Sequence, residues 1–275
     1  MNDPILISII AISLIFFSTV LGSGLVFLFK KDLTPKLRSI ILGFAGGIMI
    51  CVAFFGLILP AIDQSKINPA YNGWSYVPPV VGFILGGLLL FALDKIIPHF
   101  HKMTNTEEGL PSRAVSQNIR FFLAVTIHNI PEGLSVGFAC GLAIALARDP
   151  LTDPIVVTGA IASALSLAIG ISVQNIPEGA AISIPMFGDG MKKWKAFLFG
   201  AFSGIVEPLF AIAALFLAQL VVVTPWLLAM AAGAMLYVTL DEIMPEARGN
   251  GYSHHSMWSF MIGFILMMIM EVALG

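Results

Sequence analysis

Two hexapeptides hold the residues whose types and spacing could do chemistry. His128-Asn129-Ile130-Pro131-Glu132-Gly133 and Gln174-Asn175-Ile176-Pro177-Glu178-Gly179 differ only in their first residue. On a helix, residues four apart share a face, so His128 lies over Glu132 and Gln174 over Glu178, with Asn129 and Asn175 beside them. Pro131 has no N–H for the carbonyl of Ile127, and Pro177 has none for that of Val173. Each helix is therefore expected to kink there and to bare an oxygen beside its carboxylate. A carboxylate, an amide, a free carbonyl and one imidazole suit a hard-to-borderline divalent cation.

The elements that must position these groups are membrane helices. Apolar residues make up 58% of the chain and charged ones 11%, with a mean hydropathy of +0.94, where soluble domains carry about 25% charged residues. Eight apolar stretches come near the ~20 residues that a bilayer requires. They fall at about 5–29, 39–62, 79–97, 121–146, 155–187, 196–221, 226–246 and 257–274. The expected fold is all-α, a polytopic membrane protein of eight transmembrane helices in one domain over 1–275, with spans four and five kinked at Pro131 and Pro177. The first stretch has no basic leader and no small-residue cleavage site, so it reads as a retained helix. A net charge of -2 without a basic block argues against nucleic acid as a partner. Cys51 and Cys140 both lie in apolar stretches and read as buried small hydrophobes.

Charge in the loops orients the spans. Twelve of the fourteen basic residues follow spans one, three, five and seven, among them Lys30, Lys36, Arg38, Arg113, Lys192 and Arg248, and only Lys66 and Arg148 lie at the other side. By the positive-inside rule both termini are outside, in a multi-pass protein of the cell (plasma or inner) membrane.

Three carboxylates lie well inside the spans: Glu132, Glu178 and Glu207. A charge at mid-bilayer costs about 2.5–3.5 kcal/mol even on insertion scales, so such groups are functional by default. Glu207 precedes Pro208, a proline expected to free the carbonyl of Gly204 in the same way. Asp63, at the external end of span two, is a candidate for the way in. Asp94, His99 and His101 after span three, and Asp241 and Glu242 at the end of span seven, are candidates for the way out. The longest loop, from about Pro98 to Arg120, reads as a mobile polar connection.

The pair HNIPEG and QNIPEG, in the fourth and fifth of eight spans, resembles the signature of the ZIP (Zrt/Irt-like) family of divalent metal transporters, and the compact loops and Gln174 look most like its bacterial branch. The resemblance extends to Leu59 through Asp63, Leu93-Asp94 through His99, and Glu242 through Glu246. It implies a metal site between spans four and five, often of two ions bridged by carboxylates, with His128, Asn129, Glu132, Gln174, Asn175, Glu178 and Glu207 at the ligand positions. Many members have His where this chain has Gln174, which leaves one nitrogen ligand fewer. It further implies an inverted repeat relating spans one to three to spans six to eight, and homodimers. The expected function is transport of divalent metal into the cytoplasm, zinc foremost, with iron, manganese and cadmium as further cargo. No cofactor is expected, and the partners are the ion, the lipid bilayer and a second copy. A channel in place of a carrier is one alternative. An intramembrane metal-dependent enzyme is the other, but the chain has no His-Glu-x-x-His, no Gly-x-Ser-x-Gly and no base separate from the ligands.

Overall fold

The computed structural model describes residues 3–30, 33–96, 99–101, 106–108, 117–218, 220, 222–249 and 251–274. Eight helices account for nearly all of them: α1 (Pro4–Gly24), α2 (Pro35–Ile67), α3 (Val77–Ile96), α4 (Gln117–Arg148), α5 (Pro154–Gly188), α6 (Lys193–Leu217), α7 (Thr224–Gly249) and α8 (Ser253–Leu274). Seven of the described helices are long and apolar enough to cross a membrane, and the apolar part of α3, Val77–Ala92, is shorter. Each lies within a few residues of an expected span. Three starts share one device, a capping oxygen followed by proline. Asp3, Thr34 and Asp153 accept from the N–H two or three residues on, and Pro4, Pro35 and Pro154 take the first helical position, where no N–H is needed.

The helices pack as α1 on α5, α4 on α6, α2 on α8 and α3 on α7, with α4 and α5 in contact at the centre. Exchanging α1 with α6, α2 with α7, α3 with α8 and α4 with α5 maps this set of pairs onto itself. Each exchanged helix is an odd number of spans away, so the two halves run in opposite directions, as the resemblance implied. Glycine lets the paired backbones meet. A methyl group on Gly133 of α4 would sit 2.3 Å from the carbonyl oxygen of Glu207 on α6, and one on Gly179 of α5 would sit 2.3 Å from that of Thr19 on α1. Two equivalent irregularities complete the pattern: π-helical turns at Val52–Ile58 in α2 and Thr239–Ile243 in α7, just before Pro60 and Pro245.

The buried core runs through the middle of the bundle, including Ile15, Leu57, Phe138, Leu167, Ile171 and Met235, while Ile9, Phe17, Ile84, Leu209 and Ile269 point outward. That apolar exterior is what a lipid-facing surface requires. Cys51 and Cys140 are buried and free, as expected. One expectation changes. The loop after α3 carries a short antiparallel pair, His99–His101 against Thr106–Glu108, so part of it is ordered backbone and not only a polar connection. Pro131 and Pro177 stand inside α4 and α5, which run as helix on both sides of them.

Candidate functional site

The hexapeptides meet where α4 and α5 cross. Asn129, Glu132, Gln174, Asn175 and Glu207 are all buried, with Glu178 half-buried beside them. Gln174 spans the two helices, because its Nε2 donates to Glu132 Oε1 across the interface and reaches Glu178 Oε2, one turn along α5, at 3.5 Å. The asparagines look outward and inward at once. Asn129 Nδ2 donates to the carbonyl of Ser203 on α6 at 3.0 Å, and Asn175 Nδ2 to that of Ile15 on α1 at 3.1 Å. These two bonds are equivalents under the exchange of the halves. Asn175 Nδ2 also donates to Glu207 Oε2 at 2.8 Å.

Those bonds engage the amide nitrogens of Asn129, Gln174 and Asn175. Asn129 Oδ1, Glu132 Oε2, Gln174 Oε1 and Asn175 Oδ1 are buried without a hydrogen-bond partner in the protein. An unpartnered buried polar atom costs about 1–3 kcal/mol, so four on two adjoining helices is an arrangement that packing does not favour. All four are oxygens, three amide carbonyls and one carboxylate, which is the donor chemistry of a hard or borderline cation. No three of His, Cys, Asp and Glu converge on a common point among the described residues. The three amide oxygens stand beside the carboxylates as candidate donors.

Glu207 arrives by a different local device than the one expected. The helix of α6 is interrupted at 204–205 and resumes at Val206, so Glu207 stands in the first turn of a new helix, Val206–Leu217, where a carboxylate is favoured. The carbonyl of Gly204 is not freed by Pro208: it accepts from the N–H of Glu207 at 3.1 Å within the turn.

The outlying candidates are more scattered. Asp63 is exposed beside Lys66, with Oδ1 and Nζ 3.9 Å apart. Asp241 is also exposed and borders a groove with Gly87, Gly233 and Tyr237. Asp94 lies in α3, His99 and His101 in the short strand, His128 in α4 and Glu242 in the π turn of α7; their side chains lie outside the described residues. Two further polar groups went unseen in the sequence. Thr19 of α1 donates from Oγ1 to Glu207 Oε1 at 2.8 Å. Glu271 of α8 lines a cavity of about 210 Å³ with Gln64, Ala139, Ser163 and Leu167, and its Oε1 has no hydrogen-bond partner. Glu271 lies within the eighth apolar stretch, and its charge there was the available signal. Thr19 offered none, since a hydroxyl in an apolar helix ordinarily bonds its own preceding turn.

An apolar eight-helix bundle holding buried carboxylates and outward-braced amides in its interior is a polytopic membrane protein with a polar centre. The chain belongs to the ZIP zinc transporter family, whose family model matches residues 4–118 and 104–271. It is 31% identical to zinc transporter ZIP11 of Xenopus tropicalis, over 99% of this chain and 98% of the relative. Bacterial relatives are as similar: zinc transporter ZupT of Chlorobaculum parvum at 30% over 100% and 99%, and zinc transporter ZIPB of Bordetella bronchiseptica at 30% over 94% and 79%. The family is one of transporters and not of enzymes, which removes the metalloenzyme alternative.

Proposed function

We propose that the chain carries divalent metal, zinc first, into the cytoplasm through the site where α4 and α5 cross, with His128, Asn129, Glu132, Gln174, Asn175, Glu178 and Glu207 as its ligands. The observation that carries the reading is the set of four buried oxygens on α4 and α5 left without partners. Zinc is the ion named for the vertebrate and bacterial relatives alike. Oxygen-rich chemistry, with Gln174 in place of a second imidazole, leaves iron, manganese and cadmium as further cargo. The way in passes the cavity at Glu271, which supports that carboxylate over exposed Asp63 as the attracting charge. The way out passes Asp241 and Glu242, with Asp94, His99 and His101 beyond. Loop charge supports a cell-membrane protein with both termini outside, and the family resemblance supports a homodimer.

Carboxylates must be deprotonated to hold the ion, so protons and metal compete. The test is purified protein in liposomes at two external pH values, with no other substrate and with manganese, iron and cadmium in competition. Zinc should accumulate, more slowly at the lower pH. Flux no greater than in protein-free liposomes would overturn the reading.

A further inference from the structure

The reading above leaves α1 without a part, yet α1 reaches the site. Thr19 is 0% exposed, and its Oγ1 lies 2.8 Å from Glu207 Oε1 and 3.3 Å from the carbonyl of Ile15 one turn back. A hydroxyl has one hydrogen to give, and the shorter contact is the one across helices to the carboxylate. Asn175 of α5 holds the other oxygen of the same carboxylate, at 2.8 Å. Glu207 is thus gripped at both oxygens, by α1 on one side and α5 on the other.

The surrounding backbone makes room for that grip. A methyl group on Gly204, in the turn that interrupts α6, would come 2.8 Å from the Cβ of Thr19 and 3.1 Å from Glu207 Oε1. The exchange of halves adds a second argument. Gly133 meets the backbone of Glu207 as Gly179 meets that of Thr19, so Thr19 holds on α1 the place that Glu207 holds on α6. At equivalent places facing one centre, one half supplies a carboxylate and the other the hydroxyl that donates to it. Valine would fill the volume of Thr19, so filling space does not account for the hydroxyl.

We propose that Thr19 is a positioning residue of the metal site: through its hydroxyl it holds the carboxylate of Glu207 in the orientation that meets the ion. The inference rests on the transport reading and adds α1 to the elements that build the site. Thr19→Val keeps the shape and removes the donor, so Glu207 can turn away.

In liposomes, zinc transport by Thr19→Val should show a KM raised about tenfold, the worth of one hydrogen bond to a charged group, with the maximal rate kept within about twofold. Thr19→Ser, which restores the hydroxyl, should return KM to that of the unaltered chain. Zinc binding to the purified protein supplies the second readout. Thr19→Val should weaken it in the unaltered background and have no further effect in Glu207→Gln, because the two act through one contact. If Thr19→Val does not accumulate in the membrane, Thr19→Ala carries the same comparison. Unchanged KM, failure of serine to rescue, or an equal loss of binding in the Glu207→Gln background would each overturn the role of Thr19. Absence of zinc flux and binding in the unaltered chain would instead overturn the transport reading itself.

Discussion

At the scale of residues, two carboxylates of the centre meet neutral donors. Glu132 is held by the Gln174 amide, and Glu207 by Thr19 and Asn175. Replacing Glu178 or Glu132 by Gln keeps volume and hydrogen bonding but removes the charge that compensates a divalent ion's lost hydration. Transport by either variant should fall to background, with the fold kept or stabilised because a costly buried charge has gone. Gln174→His should keep transport and shift preference toward zinc by adding an imidazole. Flux and bound-metal stoichiometry, measured for all three in one membrane preparation, check these outcomes, and normal flux in either glutamine variant would falsify the ligand assignment. The hexapeptides were legible in the sequence because they repeat and because a carboxylate in an apolar run is costly. Thr19 was not, since its distinguishing partner lies 188 positions away. The direction of the Asn129 and Asn175 amides was not legible either, because the carbonyls that turn them belong to α6 and α1.

At the scale of elements, the seams α4–α6 and α1–α5 are backbone against backbone. A methyl group at Gly133 or Gly179 has no flexible side chain to push aside, only the carbonyl of the facing helix. Gly133→Ala and Gly179→Ala should each cost about 1–3 kcal/mol through overpacking. Thermal unfolding in detergent checks this: a lowered midpoint is expected, and an unchanged one shows that the seams can part without cost. All eight helices were legible because a bilayer fixes the length of an apolar run, whereas three of them begin at an Asp-Pro or Thr-Pro pair that lies ahead of the run. The π turns of α2 and α7 were hidden, since one extra residue in a turn leaves no trace in residue type or hydropathy. The turn before Glu207 was misread for a related reason. Pro208 predicted a lost hydrogen bond, but not that the N–H of Glu207 would claim the carbonyl of Gly204.

At the scale of the whole molecule, twelve of the fourteen basic residues fall at one expected end, and that asymmetry supports the proposed orientation. Leu151, 92% exposed between α4 and α5, and Lys192, exposed between α5 and α6, mark the two ends. With both native cysteines buried, Leu151→Cys should react with an impermeant maleimide on intact cells, and Lys192→Cys only after permeabilisation. The reverse pattern would place the termini inside. The antiparallel pairing of the halves repeats one set of helix pairs in opposite directions. Such a body carries no arrow of its own: any path it opens in one direction it opens in the other. For an ion crossing alone, the arrow would come from outside the protein, through the concentration ratio of the ion and the voltage across the bilayer. For a doubly charged ion the voltage alone supplies about 4.6 kcal/mol per 100 mV. In the proposed setting, an inside-negative membrane would draw such an ion inward even against a large excess of the free ion in the cytoplasm.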